Sequence, residues 1–91
     1  MELSSKDGHI LIQFPAERMD ASPYLSVRAV AGRPASERED MPLAFSRQGG
    51  LFVSDRPLKA GSWLVTVLAT ERDTPIFRQT RRLVIARRNG S

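Results

Sequence analysis

The chain reads as an all-β domain, an antiparallel immunoglobulin-like β-sandwich of six or seven short strands. Three features carry that reading. Alternating apolar runs recur along the chain and are closed by Gly, Pro or Asp turn signals about every ten residues, a spacing that favours a sandwich over a closed barrel. No window makes a convincing helix. The segment Leu58 to Thr70 starts in a turn, holds the only tryptophan, and continues through the longest unbroken set of strand-forming residues.

Ninety-one residues make one domain. We assign residues 9–87 to that domain, residues 1–8 to a polar lead-in and residues 88–91 to a tail. With 41% apolar and 26% charged residues the composition is globular rather than disordered. Cysteine is absent, which excludes disulfides, thiolate metal sites and a cysteine nucleophile, and leaves the compartment open. No apolar run approaches the ~18 residues of a membrane span, and no basic stretch leads into an apolar core as in a signal peptide. The sequence as given is expected to be soluble.

The lead-in ends in Lys6-Asp7-Gly8, a turn signal. His9 to Phe14 makes a half-buried first strand, with Ile10, Ile12 and Phe14 on one face, and Pro15 stops it. Ala16 to Pro23, bracketed by two prolines, reads as a loop. Tyr24 to Ala31 then alternates: Leu25, Val27, Ala29 and Ala31 face inward, Ser26 and Arg28 outward. Ala35 to Met41 is acidic and has no aromatic or β-branched residue, so it reads as an exposed connection. Pro42 opens the run Leu43 to Ser46, Arg47-Gln48-Gly49-Gly50 is the tightest turn signal, and Leu51 to Ser54 completes a hairpin.

In the tryptophan strand, Trp63, Val65, Val67 and Ala69 share one face, and Leu64, Thr66, Leu68 and Thr70 the other. Both faces are expected to be largely covered, as in a central strand. Glu71 to Pro75 returns the chain into Ile76 to Ala86. Strict alternation there puts Gln79 and Arg81 on the face of Phe77, Leu83 and Ile85, so a bulge near Thr80 to Arg82 is expected to change which side points inward.

Catalysis finds little support. A nucleophilic or acid–base site needs a reactive side chain beside an oriented base, and the single histidine, His9, stands at a strand start where a hydrogen-bonded turn residue is the simpler reading. Gly49-Gly50 has no helix behind it to make a phosphate loop. We assign no catalytic residue. No metal site or cofactor is assigned either. The candidate ligands of a copper(I) site are His9, Met19 and Met41, with Met1, but their spacing follows no motif and methionine commonly fills gaps in a core.

The net charge is +4, and Arg78, Arg81, Arg82, Arg87 and Arg88 crowd the C-terminal end, while Glu37, Glu39 and Asp40 cluster in the middle. Arg78, Arg81 and Arg82 are the candidate partner-binding residues, because arginine pairs its planar fork with carboxylates; the plainer reading is a solvated edge that discourages strand pairing. Nucleic-acid binding is disfavoured, since Phe14, Phe45, Phe52, Trp63 and Phe77 all sit in apolar strand patterns, which favours core packing over base stacking.

Three stretches resemble one family. Gly50-Leu51-Phe52-Val53-Ser54, Leu58-Lys59-Ala60-Gly61-Ser62-Trp63-Leu64-Val65 and Phe77-Arg78-Gln79-Thr80-Arg81-Arg82-Leu83-Val84 look like the C-terminal periplasmic part of FixH-type proteins, over roughly residues 24 to 86. The resemblance implies a periplasmic accessory domain, without enzymatic activity, that aids assembly of a cbb-type haem-copper oxidase through protein contacts. Its implied partners are membrane proteins, such as an oxidase or cation-transporting ATPase component. Gly50, Gly61 and Trp63 carry over as fold-defining positions only. FixH-like proteins typically carry one N-terminal transmembrane helix, so the chain is expected to be either the exported part of an anchored protein or a soluble relative. Two other readings come from the residues themselves: a small copper-binding sandwich with Met and His ligands, or a basic module for anionic polymers.

Overall fold

The computed structural model describes residues 1–21, 24–34 and 36–86, with the backbone alone for residues 20–21 and 36–39. Seven strands form: β1 (Glu2–Lys6), β2 (His9–Gln13), β3 (Leu25–Arg33), β4 (Ser36–Gln48), β5 (Leu51–Ser54), β6 (Gly61–Glu71) and β7 (Thr74–Ile85). One short helix, α1 (Ala16–Ala21), joins β2 to β3. All pairings are antiparallel, so the all-β expectation holds.

The strand order is β1-β2-β5-β4-β3-β6-β7 in one sheet. Split at β4, the order 1-2-5-4 and 3-6-7 is that of immunoglobulin-type domains. The split is not made here. Met41 to Ala44 of β4 pair with β3, whereas Phe45 to Gln48 pair with β5, so one long strand belongs to both halves and the sheet curls over its core without a break. The core takes Ile10, Ile12 and Phe14 from one side and Val27, Trp63 and Val65 from the other. Phe14 spans the two, with edge-on contacts to Phe52 (6.1 Å) and Phe77 (5.8 Å). Such pairs add about 0.5–1.5 kcal/mol each beyond the area they bury.

Several local expectations change. Residues 1–8 were expected to be a lead-in, yet Glu2–Lys6 pairs with β2 along its whole length. Asp7 (φ 53°) and Gly8 (φ 85°) both lie in the left-handed region, the geometry of a two-residue hairpin turn whose twist matches its strands. The polar composition hid the strand, because β1 is an edge and packs only Met1 and Leu3 against the core. Ala16–Ala21 is helical rather than a loop: the Pro15 carbonyl accepts from the Arg18 and Met19 amides, and Met19 is 4% exposed. The buried Met19 side chain and the Arg47 guanidinium on the Met19 carbonyl tie down a turn too short to persist alone.

The expected connection over residues 35–41 is also corrected, since β4 runs from Ser36. Pro42 stands inside the strand opposite Val30, where β4 pairs only with β3 and a proline's missing N–H can face the open edge. The expected bulge at Thr80 to Arg82 lies elsewhere: Ala69 pairs with Phe77 and Thr70 with Pro75, which leaves Ile76 as the extra residue. β7 needs no flip at its centre because it is an edge strand, where Gln79 is half-buried and Arg81 exposed. The side chains of Glu37 and Glu39, and all of Arg87 and Arg88, lie outside the described residues.

Candidate protein-binding face

Period-two alternation sends half of β3, β6 and β7 away from the core. Register then decides which of these residues meet. Ala44, Arg28, Leu68 and Arg78 stand in one row across β4, β3, β6 and β7. Pro42, Val30, Thr66 and Thr80 form the next, and Gly32, Leu64 and Arg82 the one after. The Thr66 and Thr80 hydroxyls are 2.9 Å apart, and those of Ser26 and Thr70 2.8 Å, so hydrogen bonds tie the strands together across the outward face itself.

This face is less covered than the expectation of a strand buried on both sides. Leu64 is 37% exposed, while Thr66 and Leu68 are half-buried. Of the five large apolar residues exposed among the described residues, Val30, Leu64 and Val84 lie here. A cleft of about 410 Å³ opens between Arg28 and Arg78, lined chiefly by Val30, Pro42, Thr66 and Leu68. Arg28, Arg78 and Arg82 are exposed and make no hydrogen bond or ion pair among the described residues.

The predicted trio Arg78, Arg81 and Arg82 is therefore divided. Arg78 and Arg82 share the outward face, whereas Arg81 turns to the opposite side, beside Met1, Leu3, Gln13 and Leu51. Arg28 is the residue the sequence reading missed as a binding candidate. Its outward direction was legible, but only the pairing Arg28↔Leu68↔Arg78 brings it to the same cleft.

A second cleft, of about 490 Å³, lies where the β3 and β6 ends meet, lined by Arg33, Asp40, Met41, Arg56, Lys59 and Trp63 among others. Its cations are mostly occupied. The Arg33 guanidinium lies 3.8 Å from the Trp63 ring centre and donates to the carbonyls of Ser62 (3.1 Å) and Ala60 (3.3 Å). Arg56 donates to the Pro42 carbonyl at 2.7 Å. Trp63 is 3% exposed and its Nε1–H donates to the Lys59 carbonyl at 2.9 Å. Gly61 adopts φ 126°, and a Cβ there would run into the Arg33 guanidinium, so this position admits glycine for two reasons. Gly50 lies in the β4–β5 turn with open space around it, while its neighbour Gly49 holds the positive φ of 62°.

The copper candidates are not brought together. His9 opens β2, and its Nδ1 donates to the Ser54 carbonyl at 2.9 Å. Met19 is buried in α1, beyond the other end of β2, and Met41 lines the Trp63 cleft. Among the described residues no three His, Cys, Asp or Glu side chains group as metal ligands.

An all-β domain with an arginine-lined, partly apolar outward face is the class these features define. The FixH family model matches residues 1–84, and the chain belongs to the FixH family. No curated protein and no solved structure matches it. No helix among the described residues is long and apolar enough to cross a membrane. Family membership fits an accessory role.

Proposed function

We propose that this domain is a non-enzymatic accessory module that binds other proteins in the periplasm and aids maturation of a cbb-type haem-copper oxidase. The observation that carries the reading is the FixH match over residues 1–84. The architecture supports it in kind. Its arginines are distributed between a structural clasp at Trp63 and an outward face that offers apolar surface together with guanidinium groups that have no partner among the described residues. Arginine is enriched where proteins meet, because its fork pairs with carboxylates and its planar group is weakly hydrated.

The test is affinity purification of the tagged protein from membranes of cells assembling the oxidase. Recovery of oxidase or cation-transporting ATPase subunits is the expected result. Their absence, together with normal haem-copper oxidase spectra in a deletion strain, would overturn the reading.

A further inference from the structure

The outward face of β3, β6 and β7 combines three properties that its setting does not explain. Its guanidinium groups at Arg28, Arg78 and Arg82 have no partner among the described residues, whereas Arg33, Arg47, Arg56 and Arg72 each lie on a ring, on a backbone carbonyl, or on both. Val30, Leu64 and Val84 are exposed on the same face. A cleft opens between Arg28 and Arg78, and Leu68, which stands between them in the register, is one of its lining residues.

We infer that this face docks an acidic amphipathic helix of a partner protein, which seats an apolar side chain over Leu68 and places carboxylates on Arg28 and Arg78. The inference rests on the reading of a protein-binding accessory domain, and it names the site and the chemistry of its partner.

Charge selects the sign of that partner. The chain carries +4 overall, and the rows of Arg28, Leu68 and Arg78, of Val30, Thr66 and Thr80, and of Gly32, Leu64 and Arg82 hold no carboxylate, Asp40 of the neighbouring β4 lining the Trp63 cleft instead. Spacing selects its shape. Arg28 and Arg78 stand two strand intervals apart, about 10 Å, with Leu68 between them. On a helix, residues i and i+7 are also about 10 Å apart on one face, and residues i+3 and i+4 lie between them. Glutamate or aspartate at i and i+7, with leucine or a similar residue at i+3 or i+4, therefore matches the row Arg28, Leu68, Arg78.

Other occupants fit less well. A membrane surface is usually met by a convex or flat basic face carrying tryptophan or tyrosine, but here the surface is a cleft and its described residues include no aromatic. The same lack of aromatics removes the stacking platform that single-stranded nucleic acid requires. A second copy of the chain related by a two-fold axis would set arginine against arginine.

The test uses a ¹⁵N-labelled sample of the chain and a synthetic helical peptide with glutamate at i and i+7 and leucine at i+3 and i+4. Its lysine counterpart and small vesicles of phosphatidylglycerol serve as comparison probes. With the glutamate peptide at low salt, amide shifts are expected at Arg28, Val30, Thr66, Leu68 and Arg78. Arg28→Glu/Arg78→Glu should weaken that peptide by at least about tenfold and should gain binding of the lysine peptide. Leu68→Thr, a change strands accept, gives an independent reading through loss of the apolar contact, with affinity expected to fall several-fold.

Shifts centred on the Arg33–Trp63 cleft, no binding at about millimolar peptide, unchanged affinity in the charge-reversed protein, preference for the vesicles, or self-association through this face would each overturn the inference. Failure here with oxidase subunits still recovered from membranes removes the docking site and leaves the proposed function standing. The reverse pattern keeps the site and removes the oxidase assignment.

Discussion

Arg28 and Arg33 lie on the same strand, five positions apart, and have opposite surroundings. Arg33 is clasped: its guanidinium covers Trp63 and donates to the Ser62 and Ala60 carbonyls. Arg28 has no partner among the described residues and stands beside Leu68, with Arg78 one strand beyond. The difference shows that a cation's contribution is set by what the neighbouring strand presents to it. At the β6 start a turn exposes carbonyl oxygens and an indole, both of which a guanidinium satisfies. At mid-strand the carbonyls are spent in the ladder, and the group can only look outward.

Removing the indole is the sharpest way to break the clasp. Trp63→Ala should destabilise the fold by about 3–5 kcal/mol in urea unfolding, since it empties the core and deprives Arg33 of its platform. An unchanged midpoint would mean the ring is not part of the core. Gly61→Ala comes next: a φ of 126° and the guanidinium contact predict a loss of about 2–3 kcal/mol by the same measurement. Arg33→Ala, which leaves two carbonyls and the ring face uncovered, should cost about 1–2 kcal/mol, and Arg33→Lys should recover only part of it. The smallest effect belongs to the bare side. Arg28→Glu/Arg78→Glu should move stability by no more than about 0.5 kcal/mol per site, because neither cation has a partner to lose among the described residues. A large loss there would show that these arginines hold the fold, as Arg33 does, and would erase the contrast.

Much of this arrangement could be read before folding was considered. The alternation in Leu25, Val27, Ala29 and Ala31, and in Trp63, Val65, Val67 and Ala69, survives as the buried face of β3 and β6. Polar or acidic composition concealed β1 and the first half of β4: β1 is an edge strand that buries little, and the first half of β4 is paired through its backbone to β3 alone. Helix α1 was hidden by its brevity, since what holds it is tertiary: the buried Met19 side chain and the Arg47 guanidinium that donates to the Met19 carbonyl. The trio Arg78, Arg81 and Arg82 looked like one patch, yet neighbouring residues of a strand point to opposite sides, and Arg81 parted from the others on that account.

Local periodicity and turn chemistry are properties of adjacent residues, so the sequence by itself determined the all-β class, the apolar faces of the inner strands and the place of Trp63 in the core. Register is a relation between distant segments, and only the tertiary structure could set Arg28 beside Leu68 and Arg78, or lay Arg33 on the indole. The same holds for β4, whose two ends pair with different strands. A one-residue slip in any of those ladders would keep every local pattern intact and send each of these side chains to the other face.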